Sequence, residues 1–437
     1  MSKSDRREPG PSRRNLLSTA GGLLTLAAAT DGAHAVERPA PEARDRISFW
    51  GARQAGITTP QQTYTYFMTF DLIASKRADV SDLLRVWTEV AARLTAGQTA
   101  PAFELKNLPA KPDYDAPDAS ATNTEPPVPD SSEAQDLATS RLTITFGFGP
   151  GLFVKDGADR YGLAAQRPEA LVDLPRFNGD QLLPAATGGD LSVQACADDP
   201  QVAFHAVRQL AARAYGIADV RWAQSGFLSR PANGETPRNL MGFKDGTQRP
   251  AAVEKVVWVG EEGPAWLRGG SYLVARRIRM ALEHWDRTNV GFQEQTMGRH
   301  KHSGAPLGLN HEMDTLQLDR KDEDGNPVIP ENAHVRLANA ATNDGAEILR
   351  RGYSYNDGVN FTAERWPPWR QGMEYDAGLF FLAYQRDPRT GFVRIFENMA
   401  KFDMLNQFAT HVGGGLFACP PGARPGEFIG QRLFAAA

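Results

Sequence analysis

Residues 239–247 read Asn-Leu-Met-Gly-Phe-Lys-Asp-Gly-Thr and set one carboxylate, Asp245, between Gly242 and Gly246. Asp-Gly is ordinary turn chemistry, because Asp bonds its own backbone and glycine tolerates positive φ. Two further residues give the acid a chemical context. His334 stands in Ala-His-Val-Arg-Leu-Ala-Asn-Ala, 333–340. The alternation there reads as a strand, with Val335 and Leu337 on one side and His334, Arg336 and Ala338 on the other. Sixteen residues on, Arg350 follows an apolar Ile-Leu step in Ile-Leu-Arg-Arg-Gly-Tyr-Ser-Tyr. A neutral imidazole can ligate iron from one side and leave the other open. A carboxylate can shuttle a proton between the two oxygens of hydrogen peroxide. A guanidinium can stabilise charge as the O–O bond breaks. Together the three suit haem-dependent peroxide chemistry; singly they suit a turn, a structural strand histidine and a surface cation.

Rival chemistries find little support. Gly147-Phe148-Gly149-Pro150-Gly151 follows a strand, but proline stands where a phosphate cradle needs a free N–H. No GxSxG, Walker or HExxH motif occurs. His300, His302 and His311 form a local cluster whose spacing is feasible for a metal, within a polar Gly- and Pro-containing loop. Cys196 and Cys419 can make at most one disulfide, and no Cys-x-x-Cys pair exists.

The chain has 437 residues, 41% hydrophobic and 23% charged, with a formal net charge of -4. This is a globular composition with no basic excess, and nothing in it recommends a nucleic acid as partner. The N-terminus is not expected to be part of the fold. Arg13-Arg14 precede a mildly apolar run, Leu16 to Ala29, and Ala33-His34-Ala35 is a small-x-small cleavage site. This pattern resembles the twin-arginine export signal, over residues 1–35. It implies a periplasmic or otherwise exported location.

The elements that must position the three residues follow from periodicity. Strands are expected over 62–74, 140–149, 190–197 and 220–228, and helices over 79–97 and 200–216. A second set follows: strands at 269–280, 333–340, 347–355, 377–388 and 413–421, and helices at 281–298 and 393–409. The succession suits two α+β halves with antiparallel sheets. Residues 107–138, rich in Pro, Asp, Ser and Ala, read as a mobile surface insertion.

At the same residues the sequence resembles the dye-decolourising peroxidase family. Gly242-Phe243-Lys244-Asp245-Gly246 matches its GxxDG signature, and the His334 and Arg350 segments resemble its axial-histidine and distal-arginine segments. Gly-Arg-His-Lys-His-Ser-Gly-Ala-Pro-Leu-Gly, 298–308, and Gly-Leu-Phe-Phe-Leu-Ala-Tyr-Gln-Arg-Asp-Pro, 378–388, are similar to the periplasmic deferrochelatase/peroxidase branch of bacterial iron-uptake systems.

The resemblance implies two ferredoxin-like domains, 36–228 and 229–437, each with a four-stranded antiparallel sheet, of the dimeric α+β barrel type. It implies one haem b per chain, with His334 as axial ligand and Asp245 and Arg350 as the distal catalytic pair. Arg351 remains the alternative cation. Gly246, Thr247, Gln248, Asn339, Ala340 and Arg350 would line the haem, and Asp403 would bond the axial histidine. Relatives often carry Ala-Asn-Pro-Arg where this chain reads Ala338-Asn339-Ala340-Ala341, so an arginine contact to a haem propionate is missing there. The implied partners are hydrogen peroxide, haem or porphyrin, bulky phenols or dyes as electron donors, and components of an iron-uptake system; a homo-oligomer is left open. The implied activities are peroxide reduction and release of iron from haem with the porphyrin intact. A periplasmic haem carrier with little turnover is the alternative.

Overall fold

The computed structural model describes residues 45–101, 130–232, 234–246, 250, 252–360 and 374–435. The expected export signal, 1–35, lies outside them. The first half runs β1 (Tyr64–Leu72), α1 (Arg77–Thr95), β2 (Thr143–Phe148), β3 (Leu191–Ala197), α2 (Pro200–Arg213) and β4 (Ala218–Phe227). The second half opens with α3 (Val253–Val257), β5 (Ser271–Met280), α4 (Leu282–Trp285), α5 (Val290–Met297) and α6 (His334–Leu337). It continues with β6 (Leu349–Arg350), β7 (Tyr353–Asn360), β8 (Glu374–Gln385), α7 (Arg394–Phe402), β9 (Ala409–Cys419) and α8 (Gln431–Ala435). No helix of the described residues is long and apolar enough to cross a membrane.

The strands pair antiparallel in the order β5-β9-β2-β3-β1-β4-β7-β8-β6, and β5 also pairs with β8. That last pairing closes the sheet into a barrel, giving a mixed α and β fold around it. The halves meet edge to edge through Phe227 opposite Ser354 and Phe148 opposite Ala418. Closure leaves the long strands no free edge to recruit another chain. β6 and β7 keep one register against β8, Leu349 opposite Tyr384 and Tyr353 opposite Phe380. They behave as one strand interrupted at Arg351-Gly352.

Alternation sorts the side chains. Phe67 packs on Trp222, Phe380 and Phe417 at centroid distances of 5.2, 5.4 and 6.0 Å, joining strands of both halves inside the barrel. Leu273, Tyr353, Leu382 and Tyr384 belong to the same buried cluster. The opposite faces carry the helices. Trp87 of α1 stacks on Phe146 and donates its indole N–H to Leu210 of α2. Phe392 and Phe396, before and within α7, join Tyr272 and Val274 of β5 in the outer core.

Three expected elements differ. The helix expected over 281–298 is broken into α4 and α5, because Asn289 accepts from Phe292 N and starts a new helix. The strand expected at 333–340 is the single turn α6 followed by a tight turn at Ala340–Thr342. Its two-residue alternation finds no neighbouring strand; Ala333 O instead accepts from Arg336 N and Leu337 N. The late helix stops at Phe402, since Asp403 caps the next turn through Leu405 N.

Residues 107–129 of the expected insertion lie outside the described residues. Residues 130–133 are anchored to α2 and to the end of the α1 segment. Asp130 is buried and accepts from Ala100 N and Ser132 N. His205 of α2 lies between Asp130 Oδ2, 3.5 Å from Nε2, and Glu133 Oε1, 3.1 Å from Nδ1. Arg208 approaches Glu133 as well, at 3.2 Å. Each ring nitrogen already faces its own carboxylate, which is the arrangement of an ion-pair clamp, although the three residues are close enough to hold a cation.

Candidate active site

The turn presenting Asp245 is built by its backbone. Asn239 Oδ1 accepts from Met241 N and Phe243 N, Asn239 N donates to Phe243 O, and Asp245 N donates to Pro237 O. Gly242 and Gly246 have φ of 85° and 120°, backbone that a side chain rarely adopts. Asp245 Oδ1 lies 3.3 Å from Arg350 Nη1, with side chains 29% and 35% exposed. The acid therefore keeps access to small molecules. Thr247 and Gln248 lie outside the described residues.

Strand alternation separates the two arginines. Arg350 pairs opposite Ala383 and points to the outer face of the sheet, toward Asp245. Arg351 turns into the barrel, buried, donating to Thr59 O and to Gln62 Oε1. Leu379 and Phe381 of β8 share the outer face with Ala383, and both are only half-buried although they lie in the middle of a central strand.

His334 opens α6. Its Nδ1 is 2.7 Å from Asp403 Oδ2, while Asp403 Oδ1 accepts from Leu405 N. Asp403 is buried, and a carboxylate in that position accepts the Nδ1–H, which leaves the Nε2 lone pair free. Burial pulls the imidazole pKa down, but the Asp403 charge and hydrogen bond outweigh it and raise the value above the ordinary one. The charge of Arg350 works against this and that of Asp245 with it, so all four groups share one electrostatic environment.

Residues 334–340 are half-buried without a break, Asn339 and Ala340 included. Each of these side chains keeps part of its surface open to the space beside it. Asn339 Oδ1 is used locally, accepting from Ala341 N. Arg336 is drawn backward onto Leu318 O, Ile329 O and Pro330 O, so it turns away from that space.

The raised His334 value has a measurable consequence. With the imidazole unligated, the charged His334–Asp403 pair stabilises the fold below the ordinary imidazole pKa, and that contribution disappears as pH rises through the raised value. The urea midpoint of the unligated protein should therefore decline across that window more than the midpoint of D403N. Equal slopes would show that the pair is uncharged.

The histidine cluster at 300–311 does not assemble as a metal site. His300 Nδ1 is 3.1 Å from Glu294, and among the described residues no group of metal-ligating side chains forms there. Cys196 and Cys419 are free, buried thiols. The sequence reading missed Lys244, Arg299 and Glu312, which back the Asp245 turn. The signal was the lone lysine inside the Gly-Phe-Lys-Asp-Gly turn, a cation beside a buried approach and in need of a partner.

Comparison with known proteins identifies the family. Residues 54–228 match the family model described as Dyp-type peroxidase, N-terminal, and residues 236–424 the one described as Dyp-type peroxidase, C-terminal. The chain is 36% identical to the dye-decolorizing peroxidase of Thermobifida fusca (strain YX), covering 99% of both. It is 36% identical to the deferrochelatase of Escherichia coli (strain K12), covering 97% of both. Among solved structures, ferric DtpA from Streptomyces lividans is 39% identical with a TM-score of 0.77, covering 89% of this chain and 97% of that one. The chain is an enzyme and belongs to the Dyp-type peroxidase family, whose members depend on haem.

Proposed function

We propose that this chain is a haem b peroxidase, holding one haem per chain, that reduces hydrogen peroxide and oxidises bulky phenols or dyes. The observation that carries the reading is His334, fixed through Nδ1 by buried Asp403, within electrostatic reach of the Asp245–Arg350 pair. The residues suit the group. The donor set is one imidazole nitrogen, Nε2, which binds iron in its unprotonated form, and the run 334–340 with Leu379 and Phe381 is only half-buried, leaving apolar surface accessible. His334 would be the ligand, with Gly246, Asn339, Ala340 and Arg350 beside the ring. When bound, haem supplies a redox-active iron with a position open to peroxide.

The chain's own residues do the rest. Asp245 takes the proton from one peroxide oxygen and returns it to the other. Arg350 donates toward the oxygen that gathers negative charge as the bond breaks. Asp403 keeps His334 in one tautomer and raises its basicity. Changing Asp403 to Asn keeps the shape and removes the charge. Haem affinity should fall about 10–100-fold, and the reduction potential of the bound haem should rise, read by spectroelectrochemistry. An unchanged potential would detach Asp403 from this role.

We read each half as ferredoxin-like, the halves running 36–228 and 229–437. Its support is the matching strand order, β2-β3-β1-β4 in one and β7-β8-β5-β9 in the other. We also infer export by the twin-arginine route to the periplasm, from residues 1–35. Release of iron from haem, porphyrin intact, in an iron-uptake system is inferred from the deferrochelatase relatives. Incubation with haem under reducing conditions, measuring freed iron and intact protoporphyrin, tests it. Peroxide turnover without either product would leave a peroxidase alone.

A further inference from the structure

We infer that Glu312 is a positioning residue for Asp245, acting through Lys244; this rests on the reading of Asp245 as the distal acid. Lys244 Nζ lies 2.6 Å from Glu312 Oε2, and the lysine side chain is only 9% exposed. A second acid, Glu235, stands 3.5 Å away on the solvent side. Lys244 bridges Arg238 in extended backbone, and in such backbone consecutive side chains leave on opposite sides. A tether on Lys244 therefore fixes the direction in which Asp245 points.

The loop bearing Glu312 is built to meet the turn. Gly304, at φ +76°, lies so close that a Cβ there would be 2.8 Å from Lys244 Cδ and 3.2 Å from Glu312 Cγ. Arg299, buried, donates to Gly304 O at 2.7 Å and Glu312 O at 3.0 Å, closing the loop on itself. Arg238 clamps the turn to the same loop, donating to Gly242 O, Lys301 O and His302 O. The charges of Arg299 and Arg350 influence each other, which puts this loop beside the distal cation too.

The backbone of the turn is held by carbonyls and amides, but among the described residues the Asp245 carboxylate has one side-chain partner, Arg350, at the long distance of 3.3 Å. Aim matters here, because a proton shuttle loses rate steeply with displacement.

The test uses haem-loaded enzyme and three variants, E312Q, E312D and the charge-exchanged K244E/E312K. Stopped-flow mixing gives the second-order rate with peroxide. Cyanide titration gives a second readout without turnover, since its proton too must be taken up on the distal side. E312Q should slow the peroxide step about tenfold and weaken cyanide by a similar factor, with kcat at saturating peroxide less affected and the haem absorption unchanged. E312D should recover most of the loss, and the exchanged pair part of it. Wild-type rates and cyanide affinity in E312Q overturn the inference, as does a loss confined to thermal stability. The proposed function is judged separately by D245N: if D245N is slow and E312Q is not, only the positioning role fails.

Discussion

Haem absorbance should be lost from His334→Ala, with the dissociation constant for haem rising about 100-fold or more. The argument runs from the turn outward. Ala333 O holds α6 by accepting from Arg336 N and Leu337 N, so the backbone does not depend on the imidazole and the turn should survive. The removed ring leaves Asp403 buried, with the Leu405 amide as the carboxylate's remaining hydrogen bond among the described residues. An uncompensated buried acceptor costs about 1–3 kcal/mol, so the variant should fold with a lower urea midpoint. Added imidazole should enter the gap, bond Asp403 and restore the absorption band. His300→Ala is the control, since its ring is spent on Glu294. An unchanged spectrum in H334A would remove His334 as ligand; failure of imidazole to restore the band in folded H334A would place the defect in the fold of the segment.

The fold was legible where one element carried its own period. β1, α1, β3, α2 and β8 lie close to the expected spans because each has an apolar side matched to one core. The two arginines show the same rule at single-residue scale. Alternation alone sends Arg350 and Arg351 to opposite faces, and the pairing with β8 then decides which face holds Asp245. Barrel closure was reached only by resemblance. It depends on β5 meeting β8 and on two single-residue junctions between halves, and no local pattern encodes those.

The site was legible in its parts more than in its geometry. His334 was placed on a strand because His-Val-Arg-Leu-Ala alternates, yet a one-turn helix exposes the same residues on different terms. There the open wall is the whole run 334–340 rather than every second side chain. Asp403 was reached only by resemblance, because its role is set by a contact across 69 positions. Lys244–Glu312, 68 positions apart, was missed for the same reason. Long-range ion pairs leave no periodic trace; they show only as an unexplained charge in an otherwise apolar or glycine-rich stretch.

Asp245→Asn should slow the reaction with peroxide by about 10²–10⁴-fold while haem binding stays intact. The amide fills the same volume and can still accept from Arg350, so the turn keeps its shape. What it lacks is a site able to take a proton at neutral pH. The structural cost should be below about 1 kcal/mol, because the pair is partly exposed and the turn is held by Asn239, Pro237 and the two positive-φ glycines instead. A large kinetic loss with a small stability loss is therefore the signature of proton transfer, distinct from the H334A signature of lost haem. Glutamate at 245 should recover part of the rate, since it restores the base one methylene out of place. Full peroxide turnover in D245N would end the shuttle assignment and leave Arg350, or a water held by it, to move the proton.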